Sequence, residues 1–80
     1  MATPREAAFD VLQAILQNDK PYAVVLSKSG VPRHFPKDGA KFTRLQANPQ
    51  DMAERLVGVY DFDASLPQIE EDIAYAQRAN

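Results

Sequence analysis

One histidine, no cysteine and a scatter of carboxylates are the reactive side chains of this 80-residue chain. Chemistry at neutral pH generally needs an activated nucleophile, a base that titrates near pH 7, or a bound metal. His34 stands between Arg33 and Phe35 in a segment of strand character, with no cue for a nucleophile to pair with. It reads as an exposed or partly packed strand histidine and not as a catalyst. Ser27 and Ser29 frame a turn and read as turn formers. A lone histidine without cysteine excludes the usual structural zinc sets. Asp61, Asp63, Ser65 and Asp72 fall where an EF-hand loop places its first, third, fifth and twelfth residues. Leu66, however, occupies the position that needs glycine, Pro67 follows it, and Asp72 stands where a bidentate Glu is required. Glu70, Glu71 and Asp72 are explained as well by a helix start, whose dipole favours negative charge. Gly30, Gly39 and Gly58 are isolated and make no phosphate cradle. The sequence therefore implies no catalytic residue, no metal and no cofactor: a chain that is not an enzyme.

Charge is more informative than reactivity. The net charge is −2, but residues 1–45 carry seven Lys/Arg against four acids, and residues 46–80 carry two against seven. The chain is electrically two-ended. Its basic part holds Lys28, Arg33, His34, Lys37, Lys41 and Arg44, interleaved with Phe35 and Phe42. Cations and aromatics on a sheet are a common way to hold single-stranded nucleic acid. The same residues also suit an edge strand that resists aggregation, with both phenylalanines facing the core. Net acidity opposes phosphate-driven binding. The acidic part holds Asp61, Asp63, Glu70, Glu71 and Asp72, with Asp51 and Glu54 nearby, and reads as a face for a basic partner.

The elements that must position these groups begin with a capping box, Thr3-Pro4-Arg5-Glu6. Ala8, Leu12, Ile15 and Leu16, with Phe9 and Val11 at the margins, then repeat at helical spacing and predict a helix over about residues 4–17. Asn18-Asp19-Lys20-Pro21 ends it. Residues 22–28 are short, β-branched and aromatic, which predicts a strand. Ser29-Gly30 turns the chain into a second strand around Val31, Arg33 and Phe35, where Pro32 marks an edge. After the turn at Pro36-Lys37-Asp38-Gly39, residues 40–45 read as a third strand carrying Phe42. Asn48-Pro49-Gln50-Asp51 repeats the logic of a helix start. The helix would use Met52, Leu56, Ala53 and Val57 and stop at Gly58. Residues 59–63 alternate, with Tyr60 and Phe62 on one face, as a fourth strand or an extended linker. Ser65 and Pro67 open a last helix with Leu66, Ile69, Ile73 and Ala76 as its buried stripe.

The expected fold is a single α+β domain over residues 1–80. It is a small antiparallel sheet of three to four strands with two to three helices packed on one face, in the order α-β-β-β-α-(β)-α. Twelve alanines leave 24 larger apolar residues to form the core. A chain this short buries only roughly 60% of its unfolded surface, so a homodimer or support from a partner gains weight. The segment MATPREAAFD has no apolar signal core, and no apolar run approaches about 18 residues. A cytoplasmic protein with no membrane association is expected.

These features favour a non-enzymatic protein-binding module that occupies a surface of a larger protein or nucleoprotein complex. In general character the chain is similar to phage-encoded inhibitors of host machinery, anti-CRISPR proteins among them, although no stretch carries a family motif. That likeness implies an inhibitor whose acidic face competes for surfaces that hold nucleic acid. The alternative is a small nucleic-acid-binding domain that uses the basic hairpin.

Overall fold

The computed structural model describes residues 4–49, 52 and 54–79. The first helix, α1 (Pro4–Asn18), runs one residue past its expected end. Its buried side is Ala8, Val11, Leu12 and Ile15, at the spacing of one helix face. Val11 belongs to the centre of that stripe, and Leu16, expected inside, is exposed. The N-cap Thr3 lies outside the described residues. At the C-terminus Asn18 Nδ2 donates to the Ala14 carbonyl at 2.9 Å, and Asp19 adopts φ 50°. That left-handed turn usually takes glycine, and Asp is among the few other residues that tolerate it.

The strands β1 (Tyr22–Leu26) and β2 (Pro32–Pro36) form the expected antiparallel hairpin, with Leu26 opposite Pro32 and Tyr22 opposite Pro36. Its loop is closed by Ser27 and Gly30. The Ser27 N–H donates to the Val31 carbonyl, the Gly30 N–H donates to that of Ser27, and both bonds are 2.9 Å. Gly30 has φ 84°, a conformation that side chains disfavour.

The middle of the chain differs from expectation in two places. Residues 40–45 are not a strand: α2 (Ala40–Ala47) is helical. Phe42 and Leu45 are both buried. Residues three apart share a helix side but face opposite ways on a strand, so only the helix buries both. Ala40, Lys41, Arg44, Gln46 and Ala47 around them are good helix formers. Conversely, Leu56, Val57 and Gly58 do not end a helix but lie in β3 (Arg55–Tyr60). Val57, Val59 and Tyr60 are strand formers, and β1 offers an open side to pair with. Met52 lies outside any helix or strand, and Gln50, Asp51 and Ala53 lie outside the described residues. The last helix, α3 (Leu66–Arg78), follows as expected, but only Ile69 of its stripe is fully buried. Ile73 and Ala76 are half-buried, and Leu66 is exposed.

The observed order is therefore α-β-β-α-β-α. The sheet has three antiparallel strands ordered β2-β1-β3. Tyr22 pairs with Tyr60 and Val24 with Gly58, but Val25 pairs with Leu56, which leaves Val57 as a bulge. The helices do not share one face. Ala23, Val25 and Phe35 join α1 and α2 in the main core, with Leu56 and Val59 packed against it. Val24 and Leu26 are fully buried yet stand outside that core. They point the other way, because strand side chains alternate, and α3 packs on that side against β1 and β3. A strand buried on both faces shows a continuous apolar run. Ala-Val-Val-Leu in β1 is that run.

Candidate binding surface

The alternation that sends Val24 and Leu26 beneath α3 also sends Tyr22 and the facing residues His34 and Tyr60 to the same side. Tyr22 is the hub of a ring cluster at the sheet end remote from the Gly30 turn. Its ring centroid lies 5.4 Å from that of His34, 6.1 Å from that of Tyr60 and 6.1 Å from that of Phe62, all in tilted packing. Such spacings are within the favourable range for aromatic pairs. Phe62 follows β3 in the turn to α3 and is 85% exposed.

Tyr60 is held by two features of its own strand and its neighbour. Its ring extends along β3 over Gly58, so that a Cβ at position 58 would lie 2.7 Å from the Tyr60 hydroxyl oxygen. The hydroxyl donates to Asp72 Oδ2 on α3 at 2.7 Å. Burial, reinforced by the Asp72 carboxylate, holds the Tyr60 phenol well above its ordinary range, so it remains a proton donor. Gln68 donates to the other oxygen of Asp72 at 3.1 Å.

The five acids of the candidate face separate into groups. Asp61 and Asp63 are exposed and flank Phe62 in the chain. Asp61 accepts from Lys20 Nζ at 2.9 Å in a partly exposed ion pair, a kind worth little to stability. Glu70, Glu71 and Asp72 are consecutive on α3, where each step turns about 100°. Asp72 therefore turns to the sheet while Glu70 and Glu71 are exposed away from it. The acids that accompany the aromatics are Asp61, Asp63 and Asp72.

The basic residues are likewise divided. Lys28 lies in the hairpin loop, and Arg33 and His34 project to opposite faces of the edge strand β2. Lys37 Nζ donates to Asp19 at 2.9 Å and holds that carboxyl below its ordinary range. Lys41 and Arg44 share a flank of α2, one turn apart. The phenylalanines that were to interleave with these cations, Phe35 and Phe42, are buried in the core and cannot stack on bases.

No group of three His, Asp or Glu among the described residues is placed to hold a metal. The EF-hand spacing does not form its loop, since α3 begins at Leu66 and carries Asp72 on a helix. His34 is exposed, and its ring contact is Tyr22.

Two features escaped the sequence. Glu54, expected beside the acidic face, is instead buried just before β3 at 7% exposure, and its Oε2 has no hydrogen-bond partner among the described residues; such a group costs stability. A cleft of about 420 Å³ runs between β3 and α3, lined by Arg55, Leu56, Val57, Asp72, Tyr75, Ala76 and Ala79. Its lining residue Arg55 donates to the Ala76 carbonyl at 2.6 Å. No helix among the described residues is long and apolar enough to cross a membrane. Comparisons with protein-family profiles, with curated proteins and with solved structures found no match.

Proposed function

We propose that this chain is a non-enzymatic protein-binding module. Its contact surface is the ring cluster of Tyr22, His34, Tyr60 and Phe62, rimmed by Asp61 and Asp63. Its partner presents a basic surface and belongs to a larger protein or nucleoprotein complex. The observation that carries this reading is Phe62, 85% exposed while its ring packs on Tyr22. A phenylalanine left in water forgoes about 1.5–3 kcal/mol of burial, and aromatic side chains dominate the few positions that carry most interface energy. Carboxylates beside such rings attract cationic side chains, both by charge and by their preference for aromatic faces. An inhibitor that displaces nucleic acid from a basic surface, in the manner of anti-CRISPR proteins, is the narrower form of this proposal. Small size and a local acidic excess support it.

The test is affinity capture from a bacterial lysate with the immobilised chain, run beside Phe62→Ala and the Asp61→Asn/Asp63→Asn pair. Phe62→Ala should leave the fold intact and reduce retention of the captured protein by tenfold or more, on the order of 1.4 kcal/mol. The paired substitution should reduce retention most at low salt. Capture by all variants alike would refute the surface. The nucleic-acid alternative predicts a gel shift at low salt that is lost on replacing Arg33, Lys41 and Arg44 by alanine. The carboxylates beside the exposed rings oppose that alternative.

A further inference from the structure

The acids that accompany the ring cluster are not equivalent, and the difference bears on what the partner must bring. Asp61 is already matched by Lys20 Nζ at 2.9 Å. Asp72 accepts from Tyr60 on one oxygen and from Gln68 on the other. Asp63 is exposed and has neither a hydrogen bond nor an ion pair among the described residues. It follows Phe62 directly, inside one turn closed by the Ala64 N–H on the Asp61 carbonyl at 3.1 Å. Phe62 packs its ring on Tyr22 at 6.1 Å with a tilt of 30°. A ring covered on one side and still 85% exposed turns its other face to solvent.

We infer that an arginine side chain of the partner occupies this place, its guanidinium flat on the outer face of Phe62 and paired with Asp63. The inference rests on the ring cluster being the contact surface, and it names the residue that surface receives. A guanidinium is planar and weakly hydrated, so it stacks on a ring while its fork of donors meets a carboxylate. An ammonium is a strongly hydrated point charge that gains less from the ring. An open aromatic face beside an unmatched carboxylate therefore selects arginine over lysine. Charge complementarity supports a cation here. With Lys20 set against Asp61, the surface keeps the charges of Asp63 and Asp72. Arg33, on the neighbouring strand, projects to the opposite face from His34 and leaves them uncompensated. Ring and carboxylate are adjacent in the chain, so one side chain of the partner reaches both.

A chemical-shift titration of the intact chain tests this, with the peptide acetyl-Gly-Arg-Gly amide and its lysine and citrulline counterparts. The arginine peptide should shift the Phe62 ring and Asp63 amide signals saturably at millimolar concentration. Citrulline, equal in shape but uncharged, should not, and lysine should bind about threefold or more weakly. Asp63→Asn should weaken the arginine peptide by about threefold or more, with circular dichroism unchanged. Phe62→Leu, which keeps apolar bulk without a ring, should do the same. Asp61→Asn should have a smaller effect, because Lys20 already engages that carboxylate. No shift with the arginine peptide, equal shifts with all three, or binding indifferent to Asp63→Asn would overturn the inference. A protein captured from lysate that is lost on Phe62→Ala yet indifferent to Asp63→Asn would also overturn it, while the proposed surface would stand. Equal capture by Phe62→Ala removes the surface itself.

Discussion

β2 and β3 flank the same central strand, yet they are protected in opposite ways. β2 is bracketed by Pro32 and Pro36, and four of its five residues are exposed. A proline cannot donate to a ladder, so a neighbouring strand gains little there. β2 is tied to the core through Phe35 alone and at its end through the Lys37–Asp19 pair. β3 has no proline, every residue is half-buried, and Leu56 and Val59 face the core. One edge is solvated and closed to further pairing. The other is shielded by packing and open along its backbone. A small sheet can thus face water on one side and keep the opposite side available.

The strongest way to break this contrast is Phe35→Ala. Removing the only buried side chain of β2 should cost about 3–5 kcal/mol, enough to unfold much of a domain this size. Denaturant titration would show it, and a loss under 1 kcal/mol would mean that β2 is not anchored as described. On the other edge, Gly58→Ala forces the Tyr60 ring off its strand and breaks the bond to Asp72. A cost of about 1–2 kcal/mol is expected, and it should vanish in a Tyr60→Val background, where nothing occupies the space; a double-mutant cycle measures this coupling. The smallest effect on folding belongs to Pro36→Thr, expected within about 0.5 kcal/mol as a surface change. Its consequence should be colloidal: light scattering at high concentration should rise once the β2 edge can donate.

Where local pattern and tertiary packing agree, the fold is legible in the residues. α1 and the hairpin follow from capping, periodicity and the Ser29-Gly30 turn, and α3 follows from Ser65-Pro67. The exchange of strand and helix between residues 40 and 58 has two causes. In α2, Phe42 and Leu45 stand three apart, a helical signal that a strand over residues 40–45 leaves unexplained. In β3, the cap-like Asn48-Pro49 suggested a helix, and only Pro49 lies in a helical turn among the described residues of that stretch. The sheet's demand for a third strand overrode that local cue. The ring cluster was partly visible, since Tyr60 and Phe62 alternate onto one face. Tyr22 and His34 join them only through strand register, which no local pattern carries. The charges were visible as a list but not as an arrangement. Helical rotation separates Glu70 and Glu71 from Asp72, and strand alternation separates Arg33 from His34.

The way α3 is fastened has a dynamic consequence. α1 is seated by four fully or nearly buried side chains, whereas α3 has Ile69 and three polar ties: Asp72 to Tyr60, the Ala76 carbonyl to Arg55, and Gln77 to the Gly30 carbonyl. A layer held mainly by hydrogen bonds detaches at lower free energy than one held by apolar burial. α3 should therefore open as a unit while α1 and the sheet stay closed, briefly uncovering Val24 and Leu26. Native-state hydrogen exchange would register this as one shared, lower protection value across the α3 amides. Protection equal to that of α1 would mean that the two helices come apart only together.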